Sequence, residues 1–129
     1  MARFTDMALA IVDLERRQQQ MLKDQGRFMF TPADRGMHEP EKLACIIAEV
    51  GEVSEHVLKR VHLHNEKGSM EDSDLITELS QVAALSVAWM ELLLEEEVKR
   101  DLLEEEVKRE EAVISASDPI DDATGQGRR

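Results

Sequence analysis

The sequence predicts an all-α protein: an antiparallel helical bundle whose core is completed by oligomerisation. Three observations carry this. Apolar residues recur at three- and four-residue steps through three long segments. Gly and Pro fall mostly at the segment ends. Hydrophobic residues make up 42% of the 129-residue chain but aromatics only 3%, so the core must be built from Leu, Ile, Val, Met and Ala.

The first segment, about residues 4–25, carries Phe4, Met7, Ala8, Ile11, Leu14, Met21 and Leu22 on one stripe. Its other face holds Glu15, Arg16, Arg17, Gln18, Gln19 and Gln20. There Arg16 and Arg17 read as solvated, with a second reading in which one of them reaches a phosphate. Gly26 to Glu39 reads as a loop because Gly26, Pro32, Asp34 and Gly36 break or turn the chain. Phe28, Met29 and Phe30 within it are expected to fold back onto the core, or alternatively to form a base-stacking lid.

Pro40 suits the first turn of a second helix, about residues 40–64, with Glu39 and Glu41 at its positive end. Its apolar arc is Leu43, Ile46, Ile47, Val50, Val53, Val57, Leu58 and Val61; beside it lies a small-and-acidic stripe with Cys45, Glu52 and His56. Ser69 to Asp72 resembles an N-cap for a third helix, about residues 71–112, whose first part is apolar nearly all round and is expected to be buried. From residue 93 the octet Leu-Leu-Glu-Glu-Glu-Val-Lys-Arg recurs after nine residues. The repeat either extends the third helix or packs as a fourth. Residues 113–129 are expected to form a frayed tail.

The net charge of −12 argues against a nucleic-acid or anionic-membrane partner. A single cysteine, Cys45, excludes an intrachain disulfide and suits a reducing compartment. The N-terminus lacks a signal-peptide pattern, and the run Val82 to Met90 is too short to span a bilayer. These features read as cytoplasmic.

Glu49 and Glu52, and likewise Glu78 and Gln81, are three residues apart, so each pair shares one helix face. If the two helices pack side by side, three carboxylates and an amide converge. Such a cluster is costly without a cation, and oxygen-only ligands favour Mg²⁺ or Mn²⁺. The plain alternative is that these are exposed residues of acidic helices. Against it, Glu78 and Gln81 interrupt the most apolar stretch of the chain. A di-iron bundle is a poorer fit because no histidine follows a Glu by three residues.

Leu43 to Val53, with Glu49 and Glu52, resembles the first motif of the MazG-like nucleoside triphosphate pyrophosphohydrolases, of the all-α NTP pyrophosphatase superfamily. Glu78 to Ala84, followed by Trp89, is similar to the second, and Glu15 to Gln18 resembles the start of short members. The likeness covers about residues 4–94. Ala48 stands where many members have a further Glu, and Gln81 where the family has Asp. A Gln carbonyl can ligate Mg²⁺ but brings no charge and cannot act as a base. The resemblance implies Mg²⁺- or Mn²⁺-dependent hydrolysis of a nucleoside triphosphate to monophosphate and pyrophosphate. It implies Glu49, Glu52 and Glu78 as metal-binding and catalytic residues, with Gln81 as a further metal ligand. Arg16, Lys59, Arg60 or Lys67 would contact phosphate. The alternative is a catalytically impaired helical interaction or regulatory protein. Three helices with broad apolar faces rarely bury them alone, so a homodimer or homotetramer is expected.

Overall fold

The computed structural model describes residues 2–27, 31–62 and 71–117. These form three helices: α1 (Ala2–Asp24), α2 (Glu39–His62) and α3 (Asp72–Ala116), with no strand among the described residues. The expected helix bounds hold to within about two residues, except at the end of α3 (and at residues 63 and 64, which lie outside the described residues). The octet repeat does not form a fourth helix: α3 runs unbroken through both copies to Ala116, four residues beyond the expected end. Glu95 pairs with Lys99 and Glu105 with Arg109 at one-turn spacing, which supports an otherwise exposed helix.

Local chemistry sets the ends. Gly26 closes α1 at φ 72°. Its N–H donates to the Lys23 carbonyl at 2.8 Å and the Arg27 N–H to that of Leu22 at 2.8 Å, the doubled bond of a glycine-terminated helix. The His38 carbonyl accepts the N–H groups of Glu41 and Lys42 and opens α2. At α3 the cap lies at Glu71, whose N–H donates to the Asp74 carboxylate at 3.3 Å. Ser69 and Met70, part of the expected cap, lie outside the described residues, as do Phe28, Met29, Phe30, Lys67 and residues 118–129.

Residues up to Leu94 make one compact unit, and those from Glu95 a second. Within the first, α2 runs antiparallel to α3. Glu49 neighbours Gln81, His56 neighbours Glu78 and Arg60 neighbours Asp72. α1 runs parallel to α3: residues 4–12 share a groove with residues 76–83, and Arg16 meets Glu91.

The faces turned inward differ from those expected. On α1, Arg16 and Gln19 are buried, while Phe4, Met7, Leu14 and Met21 are exposed. On α2 the only buried residue is Lys42, and Leu43, Ile47, Val50, Val57, Leu58 and Val61 face outward. α3 is less buried than expected. It buries Ser80, Ala84, Ala88 and Leu92, one residue per turn, whereas Ile76, Leu79, Met90, Leu93 and Leu94 are exposed. Small residues at every fourth position let helices approach closely, but they leave little apolar volume in the core. The helices of one chain therefore bury little apolar volume and leave much of their apolar stripes exposed. α3 also holds an 18-residue window of mean hydropathy 1.2, long and apolar enough by composition to cross a bilayer; a core helix of a soluble bundle passes the same test.

Candidate metal and nucleotide site

The antiparallel crossing of α2 and α3 brings the two polar pairs together. One carboxylate oxygen each from Glu49, Glu52 and Glu78 lies within 4.8 Å of the other two. Around Mg²⁺, with bonds of about 2.0–2.1 Å, opposite ligand oxygens are about 4.2 Å apart. The cluster is thus within a side-chain adjustment of a coordination shell. Glu49 and Glu78 are half-buried and Glu52 is exposed, so the group opens to solvent on one side.

Gln81 completes the arrangement. Its amide oxygen faces the Glu49 and Glu78 carboxylates, an unfavourable meeting of acceptors. Turning the amide over puts its nitrogen 3.3 Å from Glu49 Oε2 and 3.1 Å from Glu78 Oε2, where it donates to both.

Burial holds the Glu49 carboxyl above its ordinary pKa; the charges of Glu52, Glu78 and Glu15 and a hydrogen bond with Glu52 act in the same direction. His56 Nε2 lies 3.5 Å from Glu78 Oε1, and its Nδ1 is buried without a partner. The donor set is hard oxygen, and its crowded negative charge fits a small divalent cation.

Beside the cluster is a recess of about 420 Å³, which shares Glu49 and Gln81 with it. From α1 it takes Glu15, Gln18, Gln19 and Leu22; Thr31 and Pro32 form another wall. The size suits a small-molecule ligand. Burial raises the pKa of Glu15. The Thr31–Pro32 wall is pinned through Asp34, which accepts the Thr31 N–H at 2.5 Å and bonds Lys23. Burial alone would raise the Asp34 pKa, but the bonds from Lys23 and Thr31 and the charges of Lys23 and Lys42 outweigh it and hold it low.

Three expected phosphate contacts are placed elsewhere. Arg16 is buried and grips Glu91 through Nε and Nη2, the shortest contact being 2.7 Å, and also bonds Gln20. Lys59 pairs with Glu55 at 2.8 Å, and the ammonium holds that carboxyl below its ordinary pKa. Arg60 pairs with Asp72. None of the three lines the recess.

Conversely, Glu15, Gln18 and Gln19 belong to the polar face of α1, with no role expected from the sequence, yet they line the recess. The signal was available: residues 15, 18, 19 and 22 are spaced as one helix face ending in an apolar residue. The stronger apolar stripe of α1 masked it. No protein-family model, curated protein or solved structure matches the chain.

Proposed function

We propose that the protein is a divalent-metal-dependent nucleoside triphosphate pyrophosphohydrolase. The observation that carries the reading is the convergence of Glu49, Glu52 and Glu78 next to a recess of ligand size. Glu49, Glu52 and Glu78 would hold Mg²⁺ or Mn²⁺, with the Gln81 oxygen as a neutral ligand. When bound, the metal neutralises the triphosphate and polarises water.

In the hydrolysis a water oxygen bonds to the α-phosphorus, the bond to the α–β bridging oxygen breaks, and pyrophosphate leaves. The water proton passes to a carboxylate. Glu52 fits that role because it is the exposed member of the cluster and can reach solvent. Arg16, Lys59 and Arg60 are paired with carboxylates away from the recess, so the phosphate charge would be met chiefly by the cation that the acidic cluster holds. The working protein is a homodimer or homotetramer in the cytoplasm. The exposed stripe of α1 and arc of α2 are surfaces that a second copy would cover.

A second reading is a catalytically impaired interaction or regulatory protein that keeps the fold. It is favoured by the neutral Gln81 in the cluster and by the three cations tied up elsewhere. Pyrophosphate release from canonical and modified nucleoside triphosphates, with Mg²⁺ or Mn²⁺, separates the two. The enzyme reading expects release, and expects Glu52→Gln to lower turnover by about 10²-fold or more with helical content unchanged. If no nucleotide yields pyrophosphate and neither metal raises the melting temperature, the enzyme reading fails.

A further inference from the structure

The recess contains more than its border with the acidic cluster. Gln19 and Thr31 line it and are 7% and 3% exposed. Each keeps a buried side-chain oxygen, Gln19 Oε1 and Thr31 Oγ1, with no hydrogen-bond partner. An unmet buried polar group is costly, so native structures keep few of them, and each calls for a partner. Here both belong to residues that line one recess, contributed by different elements, α1 and the turn before α2. Leu22, Pro32 and Leu85 supply apolar walls. Among the described residues no lysine or arginine lines the recess, while Glu15 and Glu49 do, which favours a neutral group with a polar edge.

Resting on the pyrophosphohydrolase reading, we infer that this recess takes the nucleobase and that Gln19 and Thr31 are the residues that discriminate among bases. A carboxamide presents an acceptor and a donor side by side, which matches the donor–acceptor edge of a base in two hydrogen bonds. The Thr31 hydroxyl donates or accepts and reads a third position. A half-turn of the Gln19 amide, or a change of the Thr31 side-chain rotamer, presents the orphaned oxygen to a ligand. Asp34 holds the backbone of Thr31 through its N–H, so this wall is preset.

Cys45 is a free thiol lining the same recess and reports occupancy without any hydrolysis. The experiment measures labelling of Cys45 by iodoacetamide in the full-length protein, without metal, against adenosine, guanosine, cytidine and uridine. One base is expected to slow labelling about tenfold more than the poorest. Gln19→Leu and Thr31→Val are expected to flatten that ranking, whereas Thr31→Ser keeps it. Pyrophosphate release from the four triphosphates should follow the same order.

Ranked protection without pyrophosphate release from any nucleotide would remove the enzyme reading and leave the base site standing. Release whose ranking survives both Gln19→Leu and Thr31→Val would remove this inference and leave the enzyme. Equal protection by all four nucleosides, or by none, also overturns it. Circular dichroism of each variant separates lost recognition from lost fold, and Thr31→Ser keeps the test decisive if Thr31→Val unfolds.

Discussion

At the scale of single residues, the acidic cluster is legible in spacing and its electrostatics are not. Three-residue steps place Glu49 with Glu52 and Glu78 with Gln81. Only the crossing of α2 over α3 shows Glu49 surrounded by Glu52, Glu78 and Glu15, with burial and those charges raising its pKa. The sign of the consequence follows. A carboxyl whose folded pKa is raised binds its proton more tightly when folded. Its contribution to stability is complete below the ordinary carboxylate value and is lost as pH climbs through the raised one. Glu15 shifts in the same direction, whereas the lowered pKa of Asp34 makes its contribution present above the ordinary value and lost in acid. Metal-free wild type should therefore lose more melting temperature than Glu49→Gln as pH rises from the ordinary carboxylate range through the raised value of Glu49. Saturating Mg²⁺ should cancel the loss, because the cation favours the ionised form. Thermal melts of wild type and Glu49→Gln across that range check this; identical pH dependence in the two proteins would remove Glu49 as the cause.

At the scale of elements, helix existence follows from periodicity, but the face each helix turns inward does not. α1 shows why. Its apolar stripe is the stronger sequence pattern, yet Arg16 and Gln19 are the buried residues. Arg16 ties α1 to α3 by gripping Glu91, whose side chain remains 48% exposed. A charge-assisted pair of this kind contributes about 1–2 kcal/mol when one partner stays wet. Glu91→Ala should cost more than Arg16→Met, because it leaves a buried guanidinium unpaired, with Nη1 already lacking a partner. Urea denaturation of the two variants tests the order. Equal losses would mean that the clasp adds no more than packing. The same clasp explains why Arg16, an expected phosphate ligand, lies outside the recess: its charge is committed to a helix–helix contact.

At the scale of the whole molecule, one chain covers too little of its own apolar surface. Among the described helical residues only Ala84, Ala88 and Leu92 form a buried apolar core, while Leu14, Ile47, Leu58 and Val61 are each more than half exposed. Continuous apolar faces of this kind mark association surfaces. Sedimentation equilibrium should give a mass of at least two chains, and Leu14→Lys or Ile47→Lys should shift it toward one. A monomer at micromolar concentration would count against a second copy as the cover.

The amino-acid sequence by itself determined three helices, their approximate ends and the four residues that share two polar faces, because these depend on local propensity and helical period. Tertiary structure decided which faces meet, that the octet repeat continues α3, that Arg16 belongs to a clasp, and that Gln19 and Thr31 border a recess with the acidic cluster. Those outcomes depend on which stripe a neighbour covers. Periodicity marks a stripe on a helix without specifying whether it is buried by the same chain or by another.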